Sequence, residues 1–403
     1  MRFGYLVARP LNPRDFTRFG MQHLITHGHQ ILVFDLGDVI HPKLSDMDAP
    51  PFAAEGTEII RIRDPRRLFD FSDSLDACDF IVNYAQSFGI SRANIRMMRW
   101  LSRCRAPYTI LITAIPLSGA WARADEPRST SRQIRDAVGR VSLADPLNSI
   151  FARVPPRWLG VRPADYAIHQ ALHSPMENLL IGEKTGIVPA HSWDYEVCLP
   201  LIAQPPIEKN QIVFVDQYLP YHPDYVDMGS KPLEPSAYYG KLRRVFAKIE
   251  SLIGCPVVIA AHARANYSDK PEAFGARAVY YEQTHRLIAE SRLVLGHNST
   301  ALGIAAVFGK PVLILVTREL YERNIYETSA YEGFARALNT RLCFIDDPES
   351  IRFDGLPTVD ESAYRRYVTD YLAHPNSPRK PLGAIIAELA RANRLVQPHL
   401  RSN

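Results

Sequence analysis

Three short stretches place chemically able side chains directly behind apolar runs. The first is Leu293–Leu302 (LVLGHNSTAL), closed by Gly309-Lys310-Pro311-Val312. Its apolar run ends in a turn of small hydrogen-bonding residues, His297, Asn298, Ser299 and Thr300. Ser299 or Thr300 can cap the helix that follows, whose first backbone N–H groups then point at an anion together with the positive end of the helix dipole. Capping alone is the plainer use of the same residues. The second stretch is VVIAAHAR, residues 257–264, in which His262 and Arg264 emerge just past a strand. An imidazole and a planar guanidinium fork suit a phosphate, which arginine can bind bidentately. The third is IVFVDQ, residues 212–217, followed by Pro220-Tyr221-His222-Pro223-Asp224. Asp216 can serve as a base or nucleophile, hold a substrate hydroxyl, or simply close a turn. Glu183 (in GEKTG) and His191 with Asp194 (in AHSWDY) precede the middle of the chain and can reach a site from the other side. Arg18 and Asp35 are weaker candidates, and Asp35 reads as a strand terminator.

These residues need a frame, and the apolar pattern supplies one. Phe3–Val7 reads as a buried strand, Arg14 to Thr26 as a helix stopped by Gly28, and Gln30–Leu36 as a second strand, which makes a βαβ unit. Further strands are expected at Glu58–Arg63, Phe80–Tyr84 and Tyr108–Ile115, with a helix over Ala93–Arg103. A proline-containing connector, LPLIAQPPIEKN (199–210), separates this half from a second α/β series. There Gln211–Val215, Val257–Ala261, Leu293–Leu295 and Val312–Val316 alternate with helices at Tyr238–Ile253, Tyr281–Glu290 and Ala301–Phe308. The expected architecture is α/β, with two Rossmann-like doubly wound domains facing a cleft. Residues 1–198 form the first and 211–375 the second, with 199–210 as linker and 376–403 as an amphipathic helix and tail. In open α/β sheets ligands gather beyond the carboxyl ends of strands, and all three stretches lie there.

Length and charge narrow the partners. The 403 residues suit two large domains, and 46% hydrophobic with 22% charged residues is ordinary for a globular chain. The formal net charge of +4 is local. Between Trp121 and Pro163 stand eight arginines (Arg123, Arg128, Arg132, Arg135, Arg140, Arg153, Arg157, Arg162) against four acids (Asp125, Glu126, Asp136, Asp145). The rest of the chain is balanced, which argues against general nucleic-acid binding and for one basic surface, or for a solvated face in an arginine-rich protein. Cys78, Cys104, Cys198, Cys255 and Cys343 are widely spaced and read as buried free thiols rather than a disulfide or zinc framework. The run before Arg9 is too short for a signal peptide, and no apolar run approaches ~20 residues. A cytoplasmic protein, with room for peripheral contact at the inner membrane, is expected.

Several motifs do not occur. Ala8-Arg9-Pro10-Leu11 stands where a dinucleotide fold would carry GxGxxG, and neither GxxxxGK[ST] nor GxSxG is present. What remains resembles the GT-B glycosyltransferases, and more narrowly the bacterial surface-polysaccharide enzymes related to sialyl- and Kdo-transferases. Those carry a His-Pro-type motif after one strand and a Ser/Thr-rich turn before a later helix. The matching stretches are Ala261-His262-Ala263-Arg264 and His297-Asn298-Ser299-Thr300-Ala301, with Gly309-Lys310-Pro311-Val312 behind. Arg14–Gly20, Gly28 and Val33–Leu36 are similar to the opening of polysaccharide-cluster proteins. Ala263 stands in place of the proline. Ile304, Ala305 and Ala306 stand where many UDP-sugar enzymes carry a ribose-binding acid.

The resemblance implies a glycosyltransferase of lipopolysaccharide or capsule assembly, moving a sugar from a nucleotide-sugar donor to a glycan or glycolipid acceptor. The missing acid points to a CMP-activated acidic sugar such as Kdo or sialic acid. Arg264, His297, Asn298, Ser299 and Thr300 would bind the donor. His262 would neutralise the departing nucleotide, and Asp216 would be the acidic catalytic group with Glu183 in reserve. Arg128, Arg132, Arg135 and Arg140 would form an acceptor or membrane patch. No metal and no cofactor are called for. A nucleotide-sugar 2-epimerase and a non-catalytic GT-B-like scaffold subunit are the competing readings.

Overall fold

The computed structural model describes residues 1–40, 52, 54–85, 94–113, 154–174, 176, 178–222, 231–323, 325–352 and 355–396. They fall into two units. One comprises the described parts of Met1–Ala114, Pro127–Glu196 and Ala373–Asn403, and the other those of Val197–Leu372.

The first unit is built on a seven-stranded sheet. Its strands are β1 (Arg2–Val7), β2 (Gln30–Asp35), β3 (Thr57–Arg61), β4 (Phe80–Asn83), β5 (Tyr108–Ile112), β6 (Tyr166–His169) and β7 (Gly186–Pro189). They lie in the order β3-β2-β1-β4-β5-β6-β7 with every pairing parallel. A parallel sheet buried on both faces needs near-continuous apolar strands, and β1, β4 and β5 supply them. One face carries Leu6, Phe34, Ile81, Tyr108 and Trp100. The other carries Tyr5, Val33, Val82, Leu111 and Ile168, and the C-terminal helix Leu382–Val396 packs there through Leu382, Ile385 and Ile386.

That helix explains a departure from the expected helix Arg14–Thr26. The segment is two helices, Pro13–Arg18 and Met21–Thr26, broken at Gly20 in the left-handed region (φ 75°). A Cβ on Gly20 would lie 2.4 Å from the Gly383 backbone nitrogen, and one on Gly383 would lie 2.4 Å from the Gly20 carbonyl oxygen. The two backbones approach as only glycines allow. A buried cluster fastens the same junction: Glu196 accepts from the Leu382 amide and pairs with His191 at 2.6 Å, while His191 Nδ1 meets Ser377 Oγ at 3.2 Å.

The second unit holds a six-stranded parallel sheet: β8 (Ile212–Val215), β9 (Val257–Ala260), β10 (Val279–Tyr280), β11 (Leu293–Gly296), β12 (Val312–Val316) and β13 (Leu342–Phe344). Its order, β10-β9-β8-β11-β12-β13, repeats the first sheet's pattern strand for strand as far as β6. Strands β6, β7, β10 and β13 carry too little apolar run to read from sequence. The stretch expected as a linker opens with a helix, Leu199–Ala203, inside the second unit. All five cysteines are buried and free.

Candidate functional site

In a sheet of this order the chain reverses direction of growth between its first and fourth strands, and loops leaving those two strands diverge. In the second unit these are β8 and β11, hydrogen-bonded neighbours in register Val215 to Gly296. The residues that follow them are Asp216-Gln217 and His297-Asn298-Ser299-Thr300. The Gln217 amide clasps the two loops together. Its nitrogen donates to Asn298 Oδ1 at 2.9 Å and its oxygen accepts from the Asn298 amide at 3.0 Å.

Asp216 is the hub beneath that clasp. It is 2% exposed. One carboxylate oxygen accepts from the Tyr218 amide at 2.9 Å, and the other from the Tyr267 hydroxyl at 2.7 Å and the His262 amide at 3.3 Å. Burial raises its pKa above the ordinary aspartate value, and the three donors oppose that rise. The hub also holds Tyr218 in the left-handed region (φ 55°), a conformation that costs a bulky residue strain and persists only where surroundings impose it. Both oxygens are engaged within the fold and almost none of the residue is exposed, whereas the sequence reading gave Asp216 as the acidic catalytic group.

His297 is likewise inside the packing, with no exposure. Its Nδ1–H donates to the Leu315 carbonyl at 2.6 Å, so Nε2 accepts from the Tyr238 hydroxyl at 2.8 Å. Burial pushes its pKa down to about 4, so the ring is neutral at pH 7. It fixes the end of β11 against β12 and cannot itself reach a ligand. The surface of the turn belongs to Asn298, Ser299 and Thr300. Ser299 Oγ caps by accepting from the Ala301 amide at 3.3 Å, and Thr300 is exposed. A Cβ on Gly296 would lie 2.6 Å from Leu302, so glycine is required for the helical turn to fold back so tightly onto β11.

His262 and Arg264 leave β9, the neighbour of β8 on its other side. The Arg264 amide donates to His262 Nδ1 at 3.3 Å, and the ring packs 5.0 Å from that of His222. Arg264 is exposed and His262 half-buried. One carboxyl edge thus gathers His262, Arg264, Asn298, Ser299 and Thr300 around the Asp216–Gln217 hub.

The remaining candidates lie elsewhere. Glu183 is exposed in the turn before β7, at the amino-terminal edge of the first sheet and therefore opposite the carboxyl ends where ligands gather. Asp194 pairs with Arg18, and His191 with Glu196, so both serve the first unit's own packing. Asp35 accepts from the Gly37 amide at 2.9 Å, closing its strand. Arg128, Arg132, Arg135 and Arg140 lie outside the described residues. Gln217, Tyr218 and Tyr267 were not singled out from sequence. Only Gln217 carried a signal, its place two residues after a strand that proves adjacent to β11. Among the described residues no cluster of His, Cys, Asp or Glu is spaced to hold a metal ion, and no helix is long and apolar enough to cross a membrane.

Two parallel sheets, each with the order that reverses at its first strand, define the GT-B fold. Among solved structures the chain is similar to the wall teichoic acid polymerase TagF, with a TM-score of 0.51 at 9% identity over 98% of this chain and 90% of that one. Weaker likenesses include Acinetobacter baumannii MurG (TM-score 0.44, 11% identity, 97% and 100% covered). A Listeria monocytogenes protein described as a UDP-N-acetylglucosamine 2-epimerase is comparable (TM-score 0.45, 11% identity, 98% and 96% covered). No family model and no curated protein matches the sequence.

Proposed function

We propose that this chain is a glycosyltransferase whose second unit binds a nucleotide-sugar at the carboxyl edge of β8, β9 and β11. The observation that carries this reading is the Gln217–Asn298 clasp across the reversal point, with hydroxyl donors on one side of it and His262 and Arg264 on the other. Thr300, Ser299 and Asn298 would contact the donor phosphates. Arg264 and His262 would stabilise the charge that grows on the departing nucleotide as the glycosidic bond to phosphate breaks, where preorganised cations act most strongly. Asp216 would set the loop carrying His262 through that residue's amide. The donor class we favour is a CMP-activated acidic sugar, because Ile304, Ala305 and Ala306 offer a ribose no carboxylate. The acceptor would be a surface polysaccharide or glycolipid.

The test is a thermal-shift panel of CMP, UDP, GDP and TDP, followed by transfer assays. Wild type should show a selective rise in Tm with CMP, since a ligand that binds only the folded state stabilises it. His262→Ala and Arg264→Ala should keep the unliganded Tm and lose transfer by two orders of magnitude or more. Wild-type turnover in both variants overturns the assignment of roles. Sugar rearrangement without any acceptor would identify an epimerase, and absence of any nucleotide shift would leave a scaffold.

A further inference from the structure

Trp158 stands 73% exposed, more than any other large apolar side chain described in the first unit, whereas Trp100 is 1% exposed. A tryptophan left in water forgoes the burial that its large apolar surface would gain, so its display calls for a reason. The turn that carries it is not loose. Pro156–Leu159 is a single 3₁₀ turn preceded by Pro155, and Leu159 is buried in the same core cluster as Met97 and Trp100. The Leu159 carbonyl accepts from Arg99 Nε at 2.6 Å, and the Arg162 amide donates to Ser102 Oγ at 2.9 Å. One side of the turn is thus fastened to the helix Ile95–Arg103, and the other holds the indole out.

That helix has one face in the core and one in water. Met97, Met98, Trp100 and Leu101 are buried, while Arg96, Arg99 and Arg103 are exposed. Their i, i+3, i+7 spacing makes a single stripe about 10 Å long. Arg157, also exposed, adjoins Trp158. None of these four arginines comes within ion-pair distance of a described acid, and Arg103 lies over the Phe69 ring at 4.7 Å. The acids of the neighbouring elements are already engaged. Asp64, on which Arg96 also acts, pairs with Arg66, Asp70 with Arg67 and Asp165 with Arg162, and Asp76 accepts the Arg105 amide. Asp73, in the helix Ser72–Asp76, is left against four guanidinium groups.

A cationic stripe calls for an anion, and the indole says which kind. At 73% exposure it projects from the surface rather than lining a recess. A protein or a soluble chain would need a pocket of its own to receive that ring. A bilayer interface needs none: it takes an indole at headgroup depth and a spread of cations among anionic headgroups, with no fixed partner for each. The buried face of the helix Ile95–Arg103 keeps it from rolling into the acyl layer, so contact is made by docking.

We propose that the first unit docks on an anionic lipid surface through Trp158, with Arg96, Arg99, Arg103 and Arg157 held against the headgroup phosphates. This rests on the first unit alone and not on the transferase reading.

Co-sedimentation of the full chain with vesicles tests it, comparing phosphatidylcholine alone with an equimolar mixture of phosphatidylcholine and phosphatidylglycerol. Binding is expected to the mixture and not to phosphatidylcholine, and it should weaken steeply as salt rises. Trp158→Ser should weaken it about tenfold, and Arg96→Gln combined with Arg157→Gln roughly twentyfold, both with the wild-type Tm and the wild-type response to CMP. Brominated acyl chains should quench wild-type tryptophan fluorescence and quench that of Trp158→Ser far less. Failure to bind the mixture, equal binding to both vesicles, or wild-type binding in either variant would each overturn the proposal. Tighter binding to soluble heparin than to the mixed vesicles would overturn it too, by making the partner a soluble polyanion. A wild type that binds the mixture as expected but responds to no nucleotide would support this docking and strike only at the transferase reading.

Discussion

The two sheets share a strand order, yet their carboxyl edges are finished differently. At the second, polar groups answer one another inside the protein: Asp216 takes three donors, Gln217 and Asn298 exchange two bonds, and both nitrogens of His297 are engaged. At the first, Tyr84, Gln170 and Trp193 are buried with donors unspent. The difference separates two ways of finishing a carboxyl edge on one scaffold. A self-satisfied network holds loops rigid, and under the proposed function it would let a few surface groups, His262, Arg264 and Thr300, meet a charged ligand without reorganising. At the first edge the donors stay inside the packing beside the Phe19, Tyr84 and Trp193 rings.

The largest expected effect comes from removing the hub. Asp216→Ala removes the acceptor shared by the Tyr218 amide, the His262 amide and the Tyr267 hydroxyl, and leaves the last only its 3.3 Å contact with the Tyr239 hydroxyl. A loss of about 3 kcal/mol in urea unfolding is expected, because each orphaned donor forfeits its hydrogen bond while staying desolvated. Gln170→Leu at the other edge should cost nothing. Equal effects at both positions would erase the contrast.

A pH titration sharpens it next. His297 has a folded pKa of about 4 against an ordinary 6.5, because burial disfavours the imidazolium. The unfolded chain therefore takes up a proton below pH 6.5 that the folded chain refuses until about pH 4. The stabilisation is complete above pH 6.5 and is lost as pH falls from there toward 4, roughly 3 kcal/mol in all. His297→Gln should show a lower stability at pH 7 and a flatter fall over that window. A wild-type profile that stays flat between pH 6.5 and 4 would contradict a buried neutral His297.

Much of this frame was legible in the sequence, and for a physical reason. Strands β1, β2, β4, β5, β8, β9, β11 and β12 are buried on both faces and read as apolar runs. Strands β6 and β7 do not, because their polar and half-buried residues (Tyr166, His169, Gly186, Pro189) break the pattern. Strand-end placement brought His262, Arg264, Asn298, Ser299 and Thr300 into view together, since every strand of a parallel sheet ends on the same edge. It could not tell which strand-end residues point inward. Asp216 and His297 have the residue types of ligand contacts, and only the positions of Tyr267, Tyr238 and Leu315, 51, 59 and 18 residues away, make them internal. Glu183 stands at the opposite edge for a simpler reason: it precedes its strand rather than following it.

A smaller loss of stability tests the clasp alone. Gln217→Leu keeps the bulk of the side chain and deletes both bonds to Asn298 at a half-buried position. The expected loss is about 1 kcal/mol, since Asn298 can turn to water for what it loses. Its effect on binding should be larger than its effect on stability. Without the clasp the Asn298–Thr300 turn must be ordered by the ligand itself, so CMP affinity should fall about tenfold. A variant that loses stability and CMP affinity in proportion would mean that the clasp acts only through the fold of the second unit. One that keeps CMP affinity intact would mean the turn is rigid without Gln217, held by the Ser299 cap and the Gly296–Leu302 contact alone.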